Sequence, residues 1–329
     1  MLKVGLIGAS GTISKHHIQA LTWLKEENIA ELVVCCDTHP ENLKVEGVKV
    51  YTDFNELLEK EKGNLDFLDI CVPTFLHKDF AVKAMKEGYN VICEKPMALS
   101  YEDCMEMVNA QKETGKKFMI AHCMRWNLPY NRVKSDYIDG GKFGKLLDIK
   151  FCEYTKGLPV GADGWFKNLK LSGGSLIDFH IHDIDSLIYM LGVPDSVSSI
   201  GKRNEYGEYT VISSNLLFGD VCVNFQANWG VKAMSPEHGR VLRFDFENGN
   251  LFINNRDGFT EVDENGVVTK FEIQDQRSGY YREIKYFIDC IKNDCAPEYC
   301  KPEDSAMAIK VALSEAASAD KRGEIIKFK

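Results

Sequence analysis

The 329-residue sequence contains no run approaching the roughly 18 apolar residues that a membrane span requires, and no C-x-x-C pair. Its 9 prolines and 26 glycines are too few and too dispersed for a collagen-like or long disordered tract. No internal repeat and no low-complexity segment is present. Lys and Arg number 40 against 49 Asp and Glu, and a net charge of −9 lacks the basic face that nucleic-acid binding uses. The opening apolar run, Leu2–Ile7, is too short for a secretory signal and is interrupted by Gly5 and followed by Gly8, which suits a buried strand. The 11 cysteines are an odd number. Cys35, Cys36, Cys71 and Cys93 lie in or at the ends of apolar runs, where a thiol packs as a small hydrophobe. Cys290, Cys295 and Cys300 lack a fourth thiol and a nearby His, so no metal site is expected, and a reducing cytoplasm is the expected compartment. What is there is an acidic chain, 44% hydrophobic, long enough for about two domains.

Up to about residue 121 short apolar runs alternate with helical periods. Leu2–Ile7, Glu31–Cys36, Val48–Tyr51, Phe67–Val72, Asn90–Cys93 and Phe118–Ala121 read as strands. Helices are predicted over His16–Glu27, Asn55–Lys62, Lys78–Glu87 and Tyr101–Thr114. Alternating β and α units imply a parallel sheet covered on both faces. Beyond residue 145 one helix, Ile181–Leu191, precedes strand-like runs at Ser196–Ile200, Tyr209–Leu217, Asp220–Trp229, Val241–Glu247, Leu251–Asn254 and Val267–Ile273. Turns such as Gly219-Asp220 and Asn248-Gly249 favour an antiparallel arrangement. Two helices, Tyr281–Lys292 and Glu303–Lys321, close the chain. The expected division is a dinucleotide-binding α/β domain, 1–121, and an α+β domain for substrate and subunit contact, 122–329, with the final helices packing back on the first.

Gly8, Ser10, Gly11, Thr12 and Ile13 follow the first strand and open the first helix. Glycines there let backbone N–H groups approach a pyrophosphate, and a helix N-terminus favours its charge. The spacing departs from G-x-G-x-x-G, with Gly8, Gly11 and Ser14 as the three small positions if one inserted residue is allowed. Asp37, at the end of the second strand, suits the two ribose hydroxyls and repels a 2′-phosphate, which favours NAD over NADP. Glu94 and Lys95 fall just past a strand end, on the rim where open parallel sheets bind ligands, and Pro96 extends the backbone there. Asp178 and His182, four apart, share a face if a helix starts near Asp178. A neutral His can take an alcohol proton with a carboxylate beside it. Two other readings of the same stretch stand beside this one. Asp178, His182 and Asp185 have metal-ligand chemistry, or Asp178 caps a helix with His180 merely packed.

These residues together resemble the Gfo/Idh/MocA family of sugar and polyol oxidoreductases. The resemblance runs through the glycine turn with His17 to Leu21, Val72-Pro73-Thr74 with His77, and Val91-Ile92-Cys93-Glu94-Lys95-Pro96. It continues through His122, Arg125 and Pro129, then Gly141 and Gly144, Trp165, and Gly173-Gly174 with Asp178, His182, Asp185 and Gly192. It implies a Rossmann domain followed by a domain with a largely antiparallel open sheet whose outer face makes a homodimer or homotetramer. It implies that Lys95 is the active-site lysine that hydrogen-bonds the reacting oxygen. His182 would be the base that removes the hydroxyl proton, and Asp178 its orienting partner. Pro73, Thr74, His77 and Glu94 match positions beside the nicotinamide ribose, and Arg125, Trp126 and Trp165 are candidates for a sugar-facing wall. His180 stands where many relatives carry Gly, either reaching a substrate pocket or packed behind it. The implied activity is hydride transfer between nicotinamide and a secondary hydroxyl of a sugar, sugar derivative or inositol. A glycosidase that oxidises its sugar transiently with bound NAD is a second class. A sensor that binds without catalysis is a third, with no use for the base that His182 offers.

Overall fold

The computed structural model describes residues 1–43, 45–155, 164–231, 239–254, 258–272 and 277–328. The first part runs β1 (Leu2–Ile7), α1 (Ser14–Glu26), β2 (Ala30–Cys36), β3 (Lys49–Tyr51), α2 (Phe54–Lys60), β4 (Phe67–Ile70), α3 (His77–Lys86), β5 (Asn90–Glu94), α4 (Tyr101–Thr114) and β6 (Phe118–Ala121). Its six strands are all parallel, in the order β3-β2-β1-β4-β5-β6. The order reverses between β1 and β4, and such a switch point opens a crevice at the C-terminal ends of the strands. Local chemistry sets the helix ends. Asp53 caps α2 by accepting the Glu56 N–H at 2.9 Å, and Ser100 caps α4 by accepting that of Asp103 at 3.1 Å. Gly115 ends α4 in the left-handed conformation, φ 66°.

The chain continues through α5 (Leu128–Arg132), a π-helical stretch (Val133–Asp139), β7 (Leu146–Tyr154), α6 (Leu169–Ser172), α7 (Gly174–Asp178) and α8 (Ile181–Leu191). Seven strands follow, β8 (Ser196–Arg203), β9 (Tyr209–Phe218), β10 (Val221–Asn228), β11 (Gly239–Phe246), β12 (Gly249–Asn254), β13 (Gly258–Asp263) and β14 (Val268–Phe271). Last come α9 (Gly279–Lys292), α10 (Pro302–Asp320) and β15 (Ile326–Lys327). The second sheet has the order β14-β13-β12-β11-β7-β10-β9-β8-β15. Every pairing in it is antiparallel except β7 with β10. Burial alternates along β10, with Val223, Phe225 and Ala227 inward and Cys222 and Gln226 outward, so one face of this sheet holds the core. No described helix is long and apolar enough to cross a membrane.

Two compact units divide the chain, Met1–Trp126 with Gln276–Ile309, and Asn127–Asp275 with Lys310–Lys329. The first therefore takes α9 from far along the sequence. Ile284, Phe287 and Ile288 of α9 share a buried cluster with Val4, Leu21, Leu24, Phe67 and Ile92, and Phe287 meets Phe67 edge-on at 5.5 Å between ring centres. Several elements were not expected, among them α5, α6, α7, β13, β15 and β7, which sits mid-sheet between β10 and β11. Helix α8 has the expected bounds, Ile181–Leu191, whereas Asp178 ends the separate helix α7, so Asp178 and His182 do not share one continuous helix. The final residue of the expected Val267–Ile273 strand lies outside the described residues.

Because Phe287 is fully buried in that cluster, Phe287→Ala is expected to destabilise the first unit by about 3–5 kcal/mol. Urea denaturation followed by circular dichroism checks this, and an unchanged midpoint would place α9 outside the core.

Candidate active site

The turn after β1 is shaped by close approach. Gly8 has φ +80°, and a Cβ on it would lie 2.7 Å from the carbonyl carbon and oxygen of Cys71, so only glycine lets the turn rest against the end of β4. Ser14 pins the turn by donating to the carbonyls of Ala9 at 2.8 Å and Gly11 at 2.7 Å. Asp37, nearly buried at the tip of β2, accepts the Ser10 N–H and the His39 N–H, both at 2.8 Å. Ile13, at the start of α1, offers no side-chain cap, and the first turn of α1 contains no acid. Thr12 is exposed at the tip of the turn. The turn thus fits a dinucleotide pyrophosphate, with an uncapped helix N-terminus to receive its charge.

A polar knot lies beneath the ends of β4 and β5. His17 of α1 points one ring nitrogen at Asp69 Oδ2 and the other at Glu94 Oε1, both at 2.8 Å, and all three side chains are buried. Burial alone would push the imidazole down, but the charge and hydrogen bond of Asp69 outweigh it and hold His17 well above its ordinary value. Burial likewise works against the Glu94 carboxylate, and the His17 hydrogen bond and charge bring it below its ordinary value. Glu94 Oε2 accepts the Lys95 N–H at 3.0 Å. His77, at the start of α3, lies 2.7 Å from the Pro96 carbonyl and 2.8 Å from that of Val72, and its ring N–H donates to one of them. Burial pushes its pKa down, so the ring is neutral. Pro73 and Thr74 form the short 3₁₀ turn before α3, and Thr74 is buried. Lys95 itself is half-buried on the rim of the first unit.

The second unit carries the Asp/His stretch. Gly173, φ +75°, ends α6 and starts α7, which ends at Asp178, while His182 lies in the first turn of α8. Asp178 is buried and His182 half-buried. Between them His180 is fully buried, its ring centre 3.9 Å from that of Phe225. It lies 2.8 Å from Glu315 of α10 and 3.4 Å from Asp183. Burial opposes its charge, but Glu315 and Asp183 push its pKa up to about 10. It is a packed, ion-paired imidazolium, the second of its two expected roles. Arg240 pairs with Asp183 at 3.0 Å and Glu153 at 3.1 Å beside it.

The other residues expected at a sugar-facing wall are mostly interior to their own units. Arg125 is buried and donates to the Tyr299 carbonyl at 2.9 Å, and Trp126 is wedged between Tyr286 and Tyr299. Trp165 is half-buried and stacked on Phe166 at 4.0 Å. The wall is also expected to draw on residues 122–130, 155–170 and 230–240, of which 156–163 and 232–238 lie outside the described residues. Sequence reasoning did not single out Asp69, Glu283 or Glu315. The first was legible as an acid within the apolar Phe67–Ile70 strand, and Glu283 as one within the apolar stripe of α9. Two buried groupings, His17–Asp69–Cys71 and His17–Glu94–Glu283, have ligand-type atoms within 4.8 Å of one another. Both ring nitrogens of His17 are already engaged, which leaves neither grouping a free imidazole for a cation.

A six-stranded parallel sheet in this order, with a glycine turn at its switch point, defines a dinucleotide-binding protein of the Rossmann class. Residues 2–122 match the model of the oxidoreductase family with an NAD-binding Rossmann fold, and residues 132–251 match the GFO/IDH/MocA C-terminal domain. The chain belongs to this GFO/IDH/MocA oxidoreductase family. It is 31% identical over 235 residues to a 2,7-anhydro-N-acetylneuraminate hydratase of Mediterraneibacter gnavus, covering 65% of this chain and 59% of that protein. The chain thus matches less than two thirds of the length of this curated relative. It is 24% identical to a myo-inositol 2-dehydrogenase of Thermotoga maritima over 98% of both chains. The fold is shared with the WlbA dehydrogenase of Bordetella pertussis, solved in complex with NADH and UDP-GlcNAcA (TM-score 0.82, 22% identity, 100% of this chain and 98% of that one).

The raised pKa of His180 fixes a pH dependence. Its ion pairs contribute stability that is fully present below the ordinary imidazole value and is lost as pH rises through about 10. Unfolding free energy is expected to fall across that alkaline range, and Glu315→Gln to cost about 3–5 kcal/mol near neutrality. Urea titrations at a series of pH values check both, and identical alkaline limbs in wild type and Glu315→Gln would rule the pair out as the cause.

Proposed function

We propose that this protein is an NAD(H)-dependent oxidoreductase acting on a secondary hydroxyl of a sugar, sugar derivative or inositol. The observation that carries the reading is Lys95 on the rim at the end of β5, its backbone held by Glu94, in a sheet whose switch point carries the glycine turn. Bound nicotinamide supplies a hydride acceptor at its C4. Lys95 hydrogen-bonds the reacting oxygen and favours its alkoxide character. His182 takes the hydroxyl proton, and Asp178 orients substrate and steadies the resulting imidazolium. Gly8, Ser10, Gly11, Thr12 and Ile13 would hold the pyrophosphate, Pro73, Thr74 and His77 would line the nicotinamide ribose, and Trp165 would contact the sugar.

NAD is preferred to NADP in this reading. Asp37 stands beside the glycine turn, where its charge favours ribose hydroxyls over a 2′-phosphate. The division of labour follows the sequence, with cofactor on residues 1–121 and substrate and subunit contacts on 122–329. The outward face of the nine-stranded sheet supports a homodimer or homotetramer, and the free cysteines support a reducing cytoplasm. The hydratase relative favours a second reading, in which NAD stays bound and is recycled with no net redox change, the class that includes the transient-oxidation glycosidase.

Purified protein assayed with sugars and inositols is expected to reduce NAD⁺, and Lys95→Met or His182→Gln to lower kcat/KM about 10²–10⁴-fold. Turnover that is equal in wild type and Lys95→Met would sink the reading. Product formed from tightly held NAD without net NADH selects the recycling chemistry. In the same assay Asp37→Ser is expected to narrow the preference for NAD over NADP, and an unchanged ratio would remove Asp37 from cofactor selection.

A further inference from the structure

Four ionisable side chains from four elements meet inside the first unit: His17 of α1, Asp69 of β4, Glu94 of β5 and Glu283 of α9. Their exposures are 0%, 0%, 3% and 0%. One imidazole serves two of the three carboxyl groups, Asp69 and Glu94, through its two nitrogens. Glu283 is left over. One of its oxygens lies within 4.8 Å of ligand-type atoms of His17 and Glu94, and among the described residues neither of its oxygens has a hydrogen-bond partner. A charged carboxylate in that position would be buried, unpartnered and beside two other anions, whereas a proton removes the charge. Burial pushes the Glu283 carboxyl well above its ordinary value, Glu94 and Asp69 push the same way, and His17 opposes them.

We propose that Glu283 is a positioning residue that stays a neutral carboxylic acid and thereby keeps Glu94 aligned to hold the Lys95 backbone. The proposal rests on the reading of Lys95 as an active-site residue. Glu94 has two tasks, one oxygen facing His17 and the other accepting the Lys95 N–H. A second anion across less than 4.8 Å would compete for His17 and repel the Glu94 carboxylate, loosening the bond to Lys95. As an acid, Glu283 instead brings an O–H into a space rimmed by acceptor oxygens. The groups that act on Glu283 or on its neighbours His17, Asp69 and Glu94 leave no second cation inside the cluster. From α1 comes His17, and from β4 and its end come Asp69 and Cys71. β5 and its end supply Cys93, Glu94 and Lys95, the segment after β6 supplies Cys123, and α9 supplies Tyr280. Burial keeps the three thiols and the phenol protonated. Lys95, half-exposed on the rim, acts on Glu94 from outside.

Wild-type protein and Glu283→Gln, a neutral isostere, are compared by infrared spectroscopy, by melting temperature and by NADH affinity from about pH 6 to about pH 10. The wild type is expected to show the C=O stretch of a protonated carboxylic acid at neutral pH, and Glu283→Gln to lack it. A group raised in the folded state contributes stability that is lost as pH rises through its folded value, so the wild type should lose melting temperature relative to Glu283→Gln toward alkaline pH. NADH binding by the wild type should weaken several-fold over the same range, while that of Glu283→Gln stays within about twofold. If Glu283→Gln does not fold, an assigned carboxyl ¹³C NMR titration of wild type reads the protonation state of Glu283 on its own. Parallel pH profiles, no carboxylic-acid band, or one equivalent of divalent metal lost on Glu283→Gln would each overturn the proposal, the last by putting a cation where the proton is assigned. If neither protein binds NADH at any pH, the dinucleotide reading falls, and the infrared band still judges Glu283.

Discussion

One buried imidazole between two carboxylates organises the candidate site. His17 belongs to the first helix, Asp69 to the fourth strand and Glu94 to the fifth, so a single ring ties three elements together beneath the edge of the sheet. An ion pair of this kind gains little over a well-packed apolar core, because removing charges from water offsets most of the attraction. What it supplies here is alignment. Glu94 cannot face His17 with one oxygen and the Lys95 N–H with the other unless α1, β4 and β5 are all seated, so the backbone of Lys95 is set by the packing of the whole layer.

The second unit uses a related device. His180 lies between Glu315 of α10 and Asp183 of α8, and joins a helix to one 135 positions further on. His77 marks the contrast. It faces two carbonyls rather than two carboxylates, burial leaves it neutral, and it links the loop after β4 to the loop after β5 without carrying charge. Three buried histidines thus bridge distant segments, and their neighbours decide which of them are charged. Buried rings of this kind act on what surrounds a site more than on a ligand within it.

The first sheet was legible because each of its strands is a short apolar run followed by a helical period, a local pattern with little competition. Lys95 and Asp37 were legible because strand ends are predictable even when their partners are not. β7 was missed although it is central. Its apolar alternation at Leu147, Ile149 and Phe151 ends at Glu153, whose burial becomes intelligible only through Trp229 and Arg240. Helix α8 was legible at its own bounds, Ile181–Leu191, but the short α7 before it was not, and nothing adjacent to His180 reveals that its partner is Glu315. Arg125 and Trp126 looked like ligand-facing side chains from their types. Their actual neighbours, Tyr286, Tyr299 and Asp304, come from the far end of the chain. Local pattern reached the elements, and long-range pairing decided which polar side chains are interior.

The interleaving of the units has a bearing on how the chain is made. A ribosome delivers the six strands of the parallel sheet by residue 121, yet Ile284, Phe287 and Ile288, which cover one of its faces, emerge only some 160 residues later. At about 5–20 residues per second that is a wait of roughly ten to thirty seconds. Throughout it, Val4, Leu21, Phe67 and Ile92 lack their final cover. The nascent first unit is therefore an unfinished surface during synthesis, a natural client for a chaperone that shields apolar patches. Its completion is timed by translation of the last helices rather than by its own sequence.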